Sequence, residues 1–197
     1  LKVKQQYFDK PYPLWGYLPP VSDNINSLDY YDQLSQNTAL KPYISNSKKI
    51  LIAGCGTGQH PLQLARVNPS KKFVAIDLSE SSLSYAMNKA AEYNITNVEF
   101  LLADILELDN WDMEFDLIET IGVLHHLENP LDGLKSLLSL LSKDGLIKIG
   151  LYSDSARQNL NSHRKFIKEN NFDKSSEDII AYREMIIDLL FKDGFEK

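Results

Sequence analysis

Five short apolar runs, each brief and almost unbroken by polar residues, set the limits on what this chain can become. They are Lys49-Ile50-Leu51-Ile52-Ala53, Phe73-Val74-Ala75-Ile76, Val98-Glu99-Phe100-Leu101-Leu102, Phe115-Asp116-Leu117-Ile118 and Leu146-Ile147-Lys148-Ile149. A strand covered on both faces shows no polar alternation, which is the condition of a parallel sheet flanked by helices. Helical stretches separate most of the runs. Leu83, Ala86, Met87 and Ala90 make one apolar stripe on a helix entered through Ser79 as N-cap. Leu131, Leu134, Leu138 and Leu141 make a second, with Asn129 as N-cap and Pro130 at the first helical position. Strands alternating with helices predict an α/β, doubly wound, mostly parallel sheet.

The alternation occupies residues 46–153. Residues 1–45 read as an aromatic, proline-rich arm, since Pro11, Pro13, Pro19 and Pro20 rule out one continuous helix there. A short helix is expected over Asp29–Gln36. Residues 154–197 read as a helical segment, with helices over 155–170 and 176–192, the second opened by a capping box from Ser175 to Asp178. The 197 residues suffice for one compact domain. A net charge of −6, with no basic cluster larger than scattered pairs such as Lys48-Lys49 and Lys71-Lys72, speaks against a nucleic-acid groove. A small-molecule partner is expected instead. No apolar run has the length of a membrane span, and a cytoplasmic location is the default. The single cysteine, Cys55, forms no intramolecular disulfide and reads as a small buried residue.

The first run ends in Gly54-Cys55-Gly56-Thr57-Gly58, with a helix expected from near Pro61. Glycine there permits a tight turn and a close ligand approach to the backbone. A dinucleotide fingerprint would place its third glycine at position 59, where the chain has Gln59. Asp77 closes the second run about twenty residues after the loop, the place of a ribose-binding acid. An ionised carboxylate there can accept from both ribose hydroxyls. Asp104 follows the third run in the same way. Either acid could instead cap a helix.

These segments together resemble the class I S-adenosylmethionine-dependent methyltransferases, whose sheet is Rossmann-like. Ile50 to Gly58 is similar to that family's first motif, Phe73 to Leu78 to its acidic motif, and Leu101 to Ile105 to its adenine motif. Phe115 to Leu127, FDLIETIGVLHHL, resembles the fourth-strand segment of the small-molecule branch that includes quinone-ring methyltransferases. Leu141 to Leu146 matches the turn before the fifth strand. The resemblance implies S-adenosylmethionine as cofactor, lined by Gly54, Cys55, Gly56, Gly58, Gln59, Asp77, Leu78, Asp104, Ile105, Thr120 and Ile121. The arm and Gly150-Leu151-Tyr152-Ser153 also resemble a bacterial group whose methyltransferase domain is often fused to tetratricopeptide repeats, which would make such repeats of the same parent chain a partner.

His125 and His126 follow the fourth run, and a histidine titrates where a general base should. They are the candidate catalytic residues, though packing would also explain them. Two acids of the metal-binding relatives are absent from Gly122-Val123-Leu124-His125-His126, so no metal is expected. His60 and His163 read as surface or packing residues. Tyr7, Phe8, Tyr12, Trp15 and Tyr17 either form a lid, with Trp15 and Tyr17 lining the substrate space, or pack against the sheet. Two other functions stay open: a nicotinamide-dependent oxidoreductase, disfavoured by Gln59, and a non-catalytic cofactor-binding or scaffolding domain. Family members finish their sheet with an antiparallel pair that the sequence after Tyr152 does not suggest. Together with a start at Leu1, this makes the chain read as a piece of a longer protein lacking the C-terminal strand pair, with the last helices as a possible substrate cap.

Overall fold

The computed structural model describes residues 13–20, 41–153, 155, 158–173 and 175–192. Tyr7, Phe8, Tyr12, the expected helix over Asp29–Gln36 and residues 193–197 lie outside them. The chain divides into two compact units, Leu1–Leu151 and Tyr152–Lys197.

The first unit runs α1 (Lys41–Asn46), β1 (Lys49–Ala53), α2 (Gln59–Val67), β2 (Lys72–Asp77), α3 (Glu80–Glu92), β3 (Val98–Leu102), β4 (Phe115–Ile121), α4 (Pro130–Ser139) and β5 (Leu141–Gly150). Short 3-10 turns at Ile105–Glu107 and Leu124–His126 flank β4. Among the described residues the sheet has five strands in the order β3-β2-β1-β4-β5. Every pairing is parallel. The expected doubly wound α/β sheet is present.

Side-chain alternation divides the core in two. Ile50 and Ile52 join Phe73, Ala75 and Leu117 under α2 and α3, with Leu62, Ala65 and Ala90 from the helices. Leu51 and Ala53 join Val74, Ile76 and Ile118 on the other face, against Leu124 and Leu137. Burial of each such aliphatic side chain contributes roughly 1.5–3 kcal/mol. Apolar residues at successive positions of the central strands are thus explained by helices on both faces.

Ser79 caps α3 by accepting from the Ser82 amide at 3.2 Å. Asn129 caps α4 by accepting from the Leu131 amide at 3.2 Å, with Pro130 in the first turn. Three expectations need correction. Met87 does not belong to the buried stripe of α3, being 47% exposed. The buried face of α4 is Gly133, Ser136 and Leu137, while Leu131 and Leu138 are exposed. Its run of leucines fits several helical phases, and the phase adopted is the one that turns Gly133 inward. A methyl on Gly133 would lie 2.3 Å from Leu127 Cδ1 and 3.1 Å from Leu124 Cδ2. β5 starts at Leu141, where a turn was expected, because Phe115 pairs with Leu141 and Leu117 with Leu146 across a bulge.

In the second unit, α5 spans Gln158–Glu169 and α6 spans Ser176–Lys192. Ser175 caps the Asp178 amide at 3.1 Å, but Asp178 reaches the Asp173 amide at 2.7 Å rather than Ser175, so the box is only half formed. His163 is not partnerless: its Nδ1 lies 2.6 Å from the Tyr182 hydroxyl.

The phase of α4 is testable by denaturant unfolding. Leu137→Ala, at a fully buried site, should cost about 2–5 kcal/mol. Leu138→Ala should stay within about 0.5 kcal/mol of the parent. The reverse order would restore the stripe read from the sequence.

Candidate functional site

β1 pairs with β2 on one side and β4 on the other. The chain leaves β1 toward one face and β4 toward the other, so their C-terminal ends open a crevice of the kind in which open α/β sheets bind ligands. The glycine turn lies on this crevice. Gly54 has φ +78°, and a Cβ there would lie 2.3 Å from Val123 Cγ2. Gly58 has φ +81°, and a Cβ there would meet that of Ala86 at 2.5 Å. Both positions are therefore closed to any other residue. The Gly54 and Cys55 amides both donate to the Ile76 carbonyl, at 2.8 and 2.9 Å.

Asp77 closes β2 and holds the turn. Its Oδ2 accepts from the Gly56 amide at 2.8 Å and its Oδ1 from the Ser79 amide at 2.9 Å. Burial raises its pKa, opposed by the backbone donors Ser79, Gly56 and Leu78. The two carboxylate oxygens offer about four lone-pair sites, more than these backbone donors occupy, so this anchor can still accept from a ligand. Cys55 is half-buried, and burial followed by the nearby Asp77 raises its thiol pKa well above the ordinary value. It is therefore a poor nucleophile. Gln59 begins α2 and is half-buried, as is Leu78 after β2.

Asp104 lies two residues beyond β3 and caps the following 3-10 turn, its Oδ1 accepting from the Leu106 amide at 2.9 Å. Ile105 turns its side chain into the core. Thr120 is fully buried with its hydroxyl unpartnered, while Ile121 is exposed. Trp15 is not an open wall of a substrate space. It is buried against Tyr85 and Tyr93, and its indole N–H donates to the Thr57 carbonyl at 3.1 Å. The Thr57 hydroxyl donates in turn to the Pro13 carbonyl. The arm thus braces the glycine turn from outside. Tyr17 is exposed. His125 is half-buried and His126 exposed, with ring centroids 4.2 Å apart. Among the described residues no group of three or more His, Cys, Asp or Glu is arranged to hold a metal ion.

Sequence reasoning missed one constellation. Glu119, 1% exposed in β4, pairs in register with Ile52 of β1 and Lys148 of β5. Its Oε2 lies 2.9 Å from His60 Nε2 and 3.4 Å from Lys148 Nζ, and its Oε1 is buried without a partner. Burial raises the Glu119 pKa while Lys148 opposes the rise. Burial, then the Lys148 charge, lowers that of His60 to about 4. His60 is therefore more than a surface or packing residue. An acid inside an apolar run was the available signal.

A family model described as "Methyltransferase domain" matches residues 44–186. An uncharacterized protein of Synechococcus sp. is 35% identical over 120 residues, 60% of this chain and 29% of that protein. A tRNA U34 carboxymethyltransferase of Campylobacter lari is 29% identical over 124 residues, 60% of this chain and 41% of that one. The chain therefore matches well under half of these relatives' length. Among solved structures, coclaurine N-methyltransferase bound to N-methylheliamine and SAH aligns with TM-score 0.52 and 26% identity, covering 66% of this chain and 38% of that one.

Burial and the Lys148 charge predict the state of His60. At pH 7.5 its imidazole should be neutral with the proton on Nε2, donating to the carboxylate. Nitrogen-15 NMR of the ring would show no titration near the unperturbed value of about 6.5. A His60 titration with that midpoint would contradict its burial beside the Lys148 charge.

Proposed function

The chain belongs to the methyltransferase-domain family, and from that premise we propose that it binds S-adenosylmethionine in the β1–β2–β4 crevice and transfers a methyl group to a small-molecule acceptor. One observation carries the reading. The Asp77 carboxylate sits at the end of β2 with one oxygen fixed on the glycine turn, the other on the Ser79 amide at the entry to α3, and a lone pair to spare. That arrangement fits a nucleoside whose ribose hydroxyls donate to Asp77 while its tail runs along the turn.

In this assignment Gly54, Cys55, Gly56, Gly58 and Gln59 line the amino-acid tail. Leu78, Asp104 and Ile105 flank the adenine, and Thr120 and Ile121 border the sulfonium. S-adenosylmethionine, when bound, supplies a methyl group on a sulfonium whose departing thioether is neutral. No acid is needed to expel it. What the chain supplies is alignment, worth several kcal/mol of barrier in general. For a hydroxyl acceptor, His125 or His126 takes the proton as the oxygen attacks. The net charge of −6 and the scattered lysines favour a small acceptor over a polynucleotide. Among the described residues no helix is long and apolar enough to cross a membrane, which agrees with a cytoplasmic location.

Calorimetry with S-adenosylhomocysteine and with NADH tests the reading. The first should bind and the second should not. Asp77→Ala should weaken binding of the first by about 1.5–3 kcal/mol, the size of a hydrogen bond to a charged group. A double alanine variant of His125 and His126 should keep the parent's affinity, because these residues serve the acceptor. Binding of NADH alone, or indifference to Asp77→Ala, would refute the assignment.

A further inference from the structure

The Glu119 cluster has features that packing alone does not require. A carboxylate 1% exposed, with one oxygen bearing no partner, incurs a desolvation cost that natural interiors rarely leave uncompensated. Lys148 and His60 both meet the other oxygen, Oε2, leaving Oε1 buried and without a partner.

Its place in the fold indicates what belongs there. Glu119 stands beside Ile52, two residues before the glycine turn. His60, its closest partner, is in the first turn of α2, the helix that leaves that turn. α2 spans nine residues, and its N-cap residue Gly58 has no side chain to cap it. The amide end of such a helix favours a carboxylate. A buried anion with an unpartnered acceptor and a helix N-terminus thus adjoin the same turn. The pair complements a zwitterion, and the assigned cofactor carries one at the end of its tail.

We propose that Glu119 is the acceptor for the α-ammonium group of S-adenosylmethionine, through Oε1, with His60 and Lys148 holding the carboxylate in place. The inference rests on the cofactor assignment above and goes beyond it, because it places tail recognition on β4 in addition to the turn. His60 acts as a positioning residue, its Nε2–H fixing Oε2. Lys148 offsets the buried charge when the site is empty. The residues therefore select ligands bearing an α-amino acid over tail-less nucleosides.

The test uses calorimetry on the whole chain with three probes. They are S-adenosylhomocysteine, its analogue lacking only the α-amino group, and 5′-methylthioadenosine, which lacks the tail. The parent chain should bind S-adenosylhomocysteine at least about tenfold more tightly than the des-amino analogue, as for one buried charged contact. Glu119→Gln should erase that preference while changing 5′-methylthioadenosine affinity by less than about twofold. Equal loss for all three probes in the variant would make Glu119 a structural counter-ion and overturn the proposal. Parent binding that ignores the α-amino group would overturn it without any variant, should Glu119→Gln fail to fold. Failure of the parent to bind S-adenosylhomocysteine at all would instead remove the cofactor assignment, and this inference with it.

Discussion

The contact between Asp77 and the Gly56 amide ties the end of β2 to the turn after β1, and much of the site depends on it. Without that carboxylate, the turn would rely on the Ile76 carbonyl, which already receives the Gly54 and Cys55 amides. The same side chain accepts from the Ser79 amide, at the start of α3. One acid therefore sets the relative position of the glycine turn, β2 and the entry to the next helix. Its burial raises the energy of the charge, and backbone donors lower it again. A donor-rich, partly desolvated carboxylate is well suited to a neutral polyol such as ribose.

Around that anchor, close approach is enforced by size. Gly54 packs on Val123 from the segment after β4, and Gly58 packs on Ala86 of α3. The arm adds a second brace, with Trp15 buried beneath it and bonded to the Thr57 carbonyl. Tyr85 donates to the Trp15 carbonyl, and Lys89 donates to the Gly16 carbonyl at 2.8 Å, so α3 holds the arm while the arm holds the turn. A turn fixed from three sides loses little entropy on binding, which is the physical meaning of preorganisation.

The sheet was legible in the sequence because it follows from short apolar runs punctuated by glycine and aspartate, though the bulged start of β5 at Leu141 and the end of β4 at Ile121 were not. Asp77 was legible as the acid that closes β2 for the same reason. Its hold on Gly56 was not, since sequence spacing shows only that the two are near. Helix phase was the weakest inference. The leucines of α4 satisfy more than one stripe, and only the fit of Gly133 against Leu124 and Leu127 decides between them. Trp15 was ambiguous between lid and brace because an aromatic arm serves both, and burial settled it. Glu119 and His60 went unpaired because residues 59 positions apart meet only through the β1–β4 register.

The turn held by Asp77 is proposed as a cradle for S-adenosylmethionine. A crystal structure of the chain soaked with S-adenosylhomocysteine tests it most directly. The ribose hydroxyls should donate to Asp77, with adenine between Leu78 and Asp104 and the amino-acid tail along Gly54 to Gln59. Ligand density elsewhere, or in the crevice with its ribose turned away from Asp77, would contradict it.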